Sequence, residues 1–412
     1  MPATRSLHVP KPLGAVLLAA FLALGLLWLG TTAWAAPQAV TRYVAPSGVD
    51  SGACASAAAP CRTIQYAHDQ ASGGDTVQVA AGVYTENVTL SKSITLQGAG
   101  AASTIIDGGQ QQRVIRIDYL PANRVVVRNV TLRNGTGGIL SGAGPLTIQD
   151  SVIRNNQGDP NSGVNRDGGG VFGFGPVTIV NTSIYSNTAL YGGGVYARAP
   201  VTITQSAIYD NVAEWGGGVT LSMASGDQAR IVNSTISRNT TQFGVGGVYN
   251  ETPNSVLTLR HAAVVFNRST DTQSPGIGIG ANMAVRMEHS IVANNSGPAG
   301  SAQCAGVGNY QSLGYNLASD SSCRLTAAGD RPGADPLLGP LRNNGGPTWT
   351  HAIGPGSPAL DGGNNATCLP VDQRGQPRPV DGDGDGVAVC DIGPYERAAG
   401  ALLRVYLPRI TR

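Results

Sequence analysis

The feature that most constrains the fold of this chain is an internal repeat of about 24 to 31 residues. Glycine triplets begin at Gly168, Gly192 and Gly216, so they recur every 24 residues. An Ile-x-x-Asn motif recurs with a similar period. Its members are Ile153/Asn156, Ile184/Asn187, Ile208/Asn211, Ile236/Asn239, the variant Val264/Asn267, and Ile291/Asn294. A period of this size is typical of a solenoid, in which each repeat is one coil that contacts only its neighbours.

The pattern inside each repeat indicates which kind of solenoid forms. Apolar residues alternate, as in Val177-x-Ile179 and Val201-x-Ile203, and this is the period of a β-strand. No repeat has apolar residues at the 3.6-residue spacing of a helix. We therefore predict an all-β protein, a single-stranded right-handed parallel β-helix. Glycine would supply turns that need a positive φ, and the repeated Asn is interpreted as structural, bonded along its own stack.

The first 35 residues are predicted to be a secretory signal peptide. They combine basic residues with an apolar run, and Ala33-Trp34-Ala35 places small residues where a signal peptidase reads the chain. We expect cleavage before Ala36 and an extracellular or cell-surface location. The alternative is an uncleaved membrane anchor, because the apolar run approaches the length that spans a bilayer. No transmembrane segment is expected in the mature chain.

Charge and cysteine content narrow the class of protein further. After residue 35 the chain has 25 basic and 25 acidic residues, which argues against a nucleic-acid partner, because such a partner needs a basic surface. Six cysteines form three local pairs, and in an exported chain this pattern favours disulfides. The pairs are Cys54/Cys61, Cys304/Cys323 and Cys368/Cys390. Metal binding is the weaker interpretation, since no C-x-x-C motif or paired His accompanies them.

The predicted organisation has five parts. The signal peptide is followed by an N-terminal cap with a short helix (36–74), in which Ile64, Ala67 and Ala71 would share one face. The β-helix covers 75–300. A small disulfide-bonded end domain (301–397) and a tail (398–412) complete the chain.

Two stretches resemble known families. Between Tyr43 and Gly109, the segments YVAPSGVDSG, CRTIQYAHDQASGGDTVQVAAGVYTENVTL, SITLQGAG and STIIDGG resemble the start of pectate-lyase-like right-handed β-helix proteins. From Asp335, the segments DPLLGPLRNNGGPTWTHAIGPGSPALDGGN, DQRGQPRP and DGDGDGVAVCDIGPYE resemble the domain called choice-of-anchor Q. The resemblance implies a β-helix in a surface protein. It does not imply an activity, because this fold hosts both enzymes and adhesins.

No catalytic residues are predicted. The polygalacturonase branch of this fold carries N-T-D, D-D, G-H-G and R-I-K signatures, and none of them occurs in the sequence. We therefore expect a structural or adhesive role with polysaccharide or cell-envelope components as partners. The alternative is a polysaccharide lyase or glycoside hydrolase, and a third possibility is a spacer that only holds an anchor away from the cell.

The best candidate ligand-binding residues are aromatic. Tyr191, Trp215 and Phe243 each follow a repeat Asn by four residues, so stacked coils would place their rings in a row. A structural ladder is the favoured interpretation, and sugar stacking is the alternative. Two insertions at equivalent points of their coils would bound a groove beside the row. The acids expected in that groove are Asp159, Asp167, Asp210 and Glu214.

A possible metal site lies near the C-terminus. Asp381, Asp383 and Asp385 alternate with Gly, as at the start of a Ca²⁺-binding loop. Ile392 stands where an EF-hand needs its last acid, and Asp391 lies one residue earlier. These four acids are predicted to hold a structural Ca²⁺, and a simple polar turn is the alternative.

Overall fold

The alternating apolar residues form short strands that stack into parallel sheets. The computed structural model describes residues 38–158, 166–271, 275–298 and 300–400. The predicted signal peptide, Asp159 and the last twelve residues lie outside these described residues. The chain divides into two compact units, Met1–Gln38 and Ala39–Arg412, and the elements below belong to the second.

Within the described residues, three long sheets run the length of the solenoid. Sheet 1 has eleven parallel strands: Thr41–Val44, Thr76–Val79, Thr95–Gly98, Val125–Arg128, Leu146–Gln149, Val177–Val180, Val201–Thr204, Gln228–Val232, Val256–Arg260, Ala284–Glu288 and Asn309–Gly314. Sheet 2 also has eleven: Gly82–Thr85, Thr104–Asp107, Thr131–Arg133, Val152–Arg154, Ser183–Tyr185, Ala207–Tyr209, Thr235–Ser237, Ala263–Val265, Ile291–Ala293, Leu317–Ala318 and Arg331–Pro332. Sheet 3 has nine: Val88–Leu90, Ile115–Ile117, Ile139–Ser141, Val171–Gly173, Val195–Ala197, Val219–Leu221, Val248–Asn250, Ile277–Ile279 and Cys304–Gly306.

Two smaller sheets complete the described strands. A four-stranded parallel sheet lies between sheets 2 and 3 in chain order and consists of Thr188–Tyr191, Val212–Trp215, Thr240–Phe243 and Arg268–Ser269. An antiparallel hairpin near the C-terminus pairs Leu338–Arg342 with Thr350–Ile353. The predicted fold is confirmed: the chain is a right-handed parallel β-helix.

The core consists of ladders of apolar side chains that point into the coils. In sheet 1, for example, Ile148, Ile179, Ile203 and Ile231 occupy the same register position on successive strands, and all four are buried. Full burial of one such side chain stabilises the fold by about 1.5–3 kcal/mol. Since each ladder contacts only the coils above and below, stability accumulates coil by coil.

The corners of the coils explain the repeated Gly and Asn. The first glycine of each triplet (Gly168, Gly192, Gly216) has a φ of 59° to 69°, as predicted for a tight turn. The residue before each repeat Asn also has a positive φ, for example Asp210 at 54°. The repeat Asn itself therefore does not make the turn, and it has a different role.

The repeat Asn side chains form a buried ladder inside the coils. The side-chain amide of Asn187 donates to Oδ1 of Asn211 at 3.0 Å, and the backbone N–H of Asn187 donates to the same oxygen at 3.0 Å. The pattern repeats along the column Asn156, Asn187, Asn211, Asn239, Asn267 and Asn295. The predicted structural role is confirmed, but the last member is Asn295 and not Asn294. The reason is register: Val292, not Ile291, pairs with Val264 and points inward.

The N-terminal cap is a helix laid over the first coil. It spans Ile64–Gln70, and Thr63 is its N-cap, with a side chain that accepts from Tyr66 N at 3.2 Å. The carboxylate of Glu86 accepts the N–H groups of Ile64 and Gln65 at 3.0 and 3.1 Å. The helix buries Ile64 and Ala67 against the core, which covers the open apolar end of the solenoid.

The C-terminal region differs from a simple end domain. Strands Cys304–Gly306, Asn309–Gly314 and Leu317–Ala318 still belong to the three long sheets, so the boundary predicted at residue 300 lies inside the solenoid. Residues 334–397 then fold back along the outward face of sheet 2. Apolar residues meet there in a second core, whose members include Val265, Ala293, Leu317, Ile353 and Ile392.

A stack of parallel rings joins this C-terminal segment (residues 334–397) to sheet 2. Tyr185 and Tyr209 stack at 4.8 Å on neighbouring coils, and Trp349 from the C-terminal segment stacks on Tyr209 at 5.5 Å. Ser237 is the next residue of this column, and its hydroxyl lies 2.8 Å from Nε2 of His351. The C-terminal segment thus packs on sheet 2 by continuing a tyrosine ladder.

Candidate functional site

The predicted aromatic row is present at the corner between the four-stranded sheet and sheet 3. Tyr191 pairs with Trp215 and Trp215 pairs with Phe243 in the strand register. The ring centroids are 6.5 Å apart for the first pair and 5.3 Å for the second. Trp215 is 40% exposed and Phe243 is 38% exposed, so the row faces solvent. The repeat spacing therefore predicted the geometry of this row correctly.

An aspartate lies at each end of the row. Gly168 N donates to Tyr191 O at 2.8 Å, which places Asp167 one coil before Tyr191, as predicted. At the other end, Asp271 accepts from Gly244 N at 2.9 Å, next to Phe243. The sequence analysis missed Asp271, although it follows Asn267 by the same four residues that separate each ring from its Asn.

Asp167 has a pKa that is shifted by its surroundings. Burial raises its pKa to about 6, while the nearby guanidinium groups of Arg113, Arg166 and Arg198 act in the opposite direction. Its Oδ1 is buried and has no hydrogen-bond partner among the described residues. Arg113 is buried beside it and donates to the backbone oxygens of Asp167 and Gly168. A half-buried carboxyl with a raised pKa is a group that can donate or accept a proton near neutral pH.

Of the predicted acids that the structure describes, Asp210 and Glu214 do not converge on Asp167. Glu214 is exposed on the four-stranded sheet, next to Trp215 and two coils away from Asp167. A small pocket of about 130 Å³ lies beside it and is lined in part by Arg166, Leu190 and Glu214. Asp210 lies at the other corner of its coil, where it is ion-paired with Arg238. Asp210 is therefore removed from the groove in which it was predicted.

Ring contacts continue beyond the predicted row, through the buried side chains of Tyr196 and Phe172. Tyr196 lies 6.0 Å from Tyr191, and from there ring contacts cross sheet 3 through Phe172 and Phe174. Tyr119 ends the chain of rings, 6.0 Å from Phe174, and is 69% exposed. Phe172 and Tyr196 pair in the strand register and lie 24 residues apart, so the repeat spacing could have found them, whereas no repeat spacing signals Phe174 and Tyr119.

The acids near the C-terminus form a cluster that only partly matches the predicted set. Oxygens of Asp361, Asp381 and Asp383 all lie within 4.8 Å of one another. Asp385 is not part of this group, and its carboxylate accepts from Val387 N at 2.8 Å. Asp391 is buried and accepts from Asp361 N at 2.7 Å and Arg397 N at 2.6 Å. The prediction was therefore wrong for Asp385 and Asp391, and the third acid of the cluster is Asp361. The fold places Asp361 beside Asp381, although it lies 20 residues earlier in the sequence.

Electrostatics within this cluster favour a cation. Burial raises the pKa of Asp361, and the negative charges of Asp383 and Asp381 raise it further. Oδ2 of Asp361 is buried and has no hydrogen-bond partner in the described part of the chain. Carboxylate oxygens are the ligands that Ca²⁺ prefers.

All three predicted disulfides are confirmed. Cys54–Cys61 lies in the N-terminal cap, Cys304–Cys323 in the last turn, and Cys368–Cys390 in the C-terminal segment. The pairs have Cα–Cα distances of 5.3, 4.9 and 6.3 Å, within the usual range. Among the described residues, no helix is long and apolar enough to cross a membrane.

A comparison with solved structures agrees with the fold. The chain is similar to the crystal structure of pectate lyase Pel9A, with a TM-score of 0.51 and 15% identity over 87% of this chain and 96% of that chain. A pectin methylesterase from carrot is a weaker match, with a TM-score of 0.38 and 12% identity over 66% of this chain and 89% of that chain. No family model and no curated protein matches the sequence. The chain therefore shares the parallel β-helix fold of pectate lyase Pel9A, and at 15% identity this likeness shows the fold alone.

Proposed function

We propose that this chain is a non-catalytic, polysaccharide-binding β-helix protein with an adhesive role outside the cell. The observation that carries the proposal is the row of Tyr191, Trp215 and Phe243 on three consecutive coils, in which Tyr191 is half-buried and Trp215 and Phe243 are exposed. Aromatic side chains provide large, rigid and amphipathic contact area at a low entropy cost. Asp167 and Asp271 at the two ends of the row supply oxygens that can accept hydrogen bonds from sugar hydroxyls.

Binding is favoured over catalysis because the acids are dispersed. Asp210 is engaged by Arg238, and Glu214 lies two coils from Asp167. A glycosidase needs two carboxyl groups held on either side of the scissile bond. Among the described acids, Asp210 and Glu214 do not form such a pair with Asp167, and a row of rings then supports retention of a polymer rather than its cleavage.

The test is a pull-down of the mature chain on insoluble polysaccharides, with released products measured in the same samples. A Trp215→Ala/Phe243→Ala variant is expected to lose about tenfold or more in affinity, because each ring contributes about 0.5–1.5 kcal/mol beyond its buried area. Val212→Ala is the matched control, since Val212 is exposed on the same sheet but outside the row. Equal retention of the wild type and the double variant would contradict the role of the row.

A second candidate function is glycoside hydrolysis with Asp167 as general acid. The raised pKa of Asp167, about 6, favours it, because a general acid must hold its proton near neutral pH. The assay is release of reducing ends from the same polysaccharides. An activity that is lost in Asp167→Asn, while binding is kept, would replace the adhesive proposal with the enzymatic one.

We further propose that the protein is exported and attached to the cell surface. Residues 1–35 have the composition of a signal peptide, and the segment from Asp335 resembles the choice-of-anchor Q domain. Three disulfides also support an oxidising compartment. N-terminal sequencing of the exported protein should begin at Ala36, and an intact N-terminus would instead favour the membrane anchor.

A structural Ca²⁺ is proposed at Asp361, Asp381 and Asp383. The ion would neutralise three crowded carboxylates and use the buried Oδ2 of Asp361. Extracellular Ca²⁺ modules bind with dissociation constants of about 10⁻⁴–10⁻³ M. At a hundredfold excess over the dissociation constant, the ion would stabilise the fold by about 2.7 kcal/mol. Thermal unfolding with and without Ca²⁺ tests this: Asp361→Asn should abolish the gain, and Asp385→Asn should keep it.

A further inference from the structure

Two stacked histidines occupy one corner of the solenoid. The residues that follow six successive strands of sheet 1 align in a corner column and have positive φ values; they are Asn181, Gln205, Asn233, His261, His289 and Tyr315. The rings of His261 and His289 are buried and stack at 4.5 Å, and Tyr315 stacks on His289 at 5.3 Å. His261 and His289 are called the histidine pair below.

The C-terminal segment crosses the histidine pair through residues 363–371, which are called the docking loop below. The backbone N–H of Asn364 donates to Nε2 of His289 at 2.9 Å, and the backbone N–H of Leu369 donates to Nε2 of His261 at 3.3 Å. Two side chains of the solenoid donate to carbonyl oxygens of the loop, Arg260 to Thr367 O at 2.7 Å and Asn233 to Val371 O at 2.8 Å. The structure describes the whole loop, and none of its residues belongs to the second core. Polar contacts therefore hold the docking loop on the solenoid.

These contacts fix both rings in the neutral form. A backbone N–H can only donate, so Nε2 of each ring must accept and the single ring hydrogen must be on Nδ1. Nδ1 of His261 lies 3.3 Å from Gly393 O, which can accept that hydrogen. Nδ1 of His289 is buried and has no hydrogen-bond partner in the described part of the chain. A second proton on either ring would therefore place an N–H on Nε2 against the N–H of Asn364 or Leu369.

The surroundings of the histidine pair also disfavour a positive charge. Burial lowers the pKa of His289 to about 4 and that of His261 well below its ordinary value of 6.5, and the guanidinium groups of Arg378 and Arg260 act in the same direction. The other charged groups in this region are engaged in contacts of their own, namely Glu288 with Arg260 at 2.9 Å, Glu396 with Arg378 at 3.3 Å, Asp372 with Arg374 at 2.7 Å, and Asp391 with backbone N–H groups. Among the described residues, no carboxylate is ion-paired with either ring of the pair.

We propose that the histidine pair is an acid-sensitive contact, which releases the docking loop when the rings are protonated while the β-helix stays folded. Protonation replaces two N–H···N hydrogen bonds by facing donors, and it places two cations 4.5 Å apart beside Arg378. The strands are held by their own backbone ladders and by buried apolar residues, so the opening is local. In acid, the corner of the solenoid under the loop becomes exposed, whether or not a polysaccharide is bound.

His351 also joins the C-terminal segment to sheet 2, but its contact differs from those of the histidine pair. Nε2 of His351 lies 2.8 Å from the hydroxyl of Ser237, and a hydroxyl can accept as well as donate. A proton on this nitrogen therefore keeps the hydrogen bond. The opening is expected at the docking loop and not at His351.

Hydrogen exchange of the mature chain, followed by mass spectrometry at a fixed Ca²⁺ concentration, tests this proposal. Exchange at residues 364–371, corrected for the intrinsic effect of pH, is compared between about pH 7 and about pH 4.5. We expect protection of the loop to fall about tenfold or more, because each ring that takes up a proton on release shifts the equilibrium by up to about tenfold for each pH unit below 6.5. The strands of sheet 1, such as Val201–Thr204, should stay protected.

Glutamine at both positions of the histidine pair provides the matched variant. Gln205 already occupies the corner column with a φ of 50°, and a glutamine oxygen can accept an N–H but takes up no proton in this pH range. We expect His261→Gln/His289→Gln to keep the docking loop protected in acid. His68→Gln is the control, because His68 is buried in the N-terminal cap, where its Nε2 accepts from Ser91 N at 3.1 Å. This control should leave exchange of the docking loop as in the wild type.

Each outcome bears on the histidine pair. Loss of loop protection in the wild type and in His68→Gln, but not in the double glutamine variant, supports the acid-sensitive contact. Equal protection of the wild-type loop at both pH values overturns it, and this result does not depend on whether the variant folds. Loss in both the wild type and the double glutamine variant also overturns it, because other groups would then cause the opening. Simultaneous loss in the loop and in the strands of sheet 1 overturns the local opening.

Discussion

Replacing Asn211 by alanine removes one rung from the middle of the buried asparagine ladder. The side-chain amide of Asn211 donates to Ile184 O and to Oδ1 of Asn239, both at 2.9 Å. Its Oδ1 accepts from the backbone N–H and the side-chain amide of Asn187, both at 3.0 Å. The substitution therefore deletes four hydrogen bonds and leaves the buried N–H of Asn187 without its acceptor.

The expected cost follows from this count. At about 1 kcal/mol for each net hydrogen bond, the free energy of unfolding falls by about 4 kcal/mol. That is a large part of the stability of a typical domain, which is about 5–15 kcal/mol. Because neighbouring amides in the ladder polarise one another, an interior rung is expected to cost more than the terminal Asn156, whose Oδ1 accepts one hydrogen bond from the described residues, that of Gly135 N.

The assay is urea unfolding of the mature chain, with Gln242→Ala as an exposed control on the same coils.

A second pair of variants tests the register at the end of the ladder. Asn295→Ala loses four side-chain hydrogen bonds, whereas Asn294→Ala should cost only about 1–2 kcal/mol for its left-handed backbone. A loss below about 1 kcal/mol for Asn211→Ala, or an equal loss for Asn294 and Asn295, would refute the reasoning.

Three further predictions concern the C-terminal segment and its contact with sheet 2. Burial lowers the pKa of His289 and His351 to about 4, below the ordinary value of 6.5, so the unfolded chain binds more protons and stability should fall as the pH drops from 6.5 to 4; a flat urea midpoint over this range would contradict it. Burial raises the pKa of Asp391 from 3.8 to about 8, so between these pH values the folded chain holds a proton that the unfolded chain has released. The free energy of unfolding should therefore fall as the pH rises from 4 to 8, and Asp391→Asn should remove this pH dependence. Trp349→Ala should cost about 0.5–1.5 kcal/mol through the lost stack on Tyr209 and speed proteolysis of the C-terminal segment, and unchanged proteolysis would argue against the stack as a docking contact.

Local and periodic features were predictable from the sequence because each is encoded within one coil. The 24-residue period of the glycine triplets placed Tyr191 and Trp215 in one row, and the strand register confirms that row. The three disulfides join cysteines only 7, 19 and 22 residues apart, so proximity in sequence sufficed. The solenoid itself followed from the same logic, since apolar alternation repeated at a fixed period can be buried only by stacking.

Features that depend on distant or irregular parts of the chain were not predictable. The end of the Asn ladder shifted by one residue, because Ile291 and Val292 are equally apolar and only pairing with Val264 selects which one points inward. Asp361 joins Asp381 through the path of the C-terminal segment, and no spacing in the sequence signals this. For the same reason Asp210 could not be separated from Glu214 before the corners of the coil were known.

The amino-acid pattern alone established the solenoid, its apolar ladders, its disulfides and the aromatic row, because a repeated coil brings equivalent residues together without further information. Tertiary structure decided which outward faces remain open. The C-terminal segment covers sheet 2 through contacts such as Thr348 to Gln205 O and Gln373 to Thr235, which join residues more than 130 positions apart. This choice depends on the side-chain fit between distant segments, which no local period encodes.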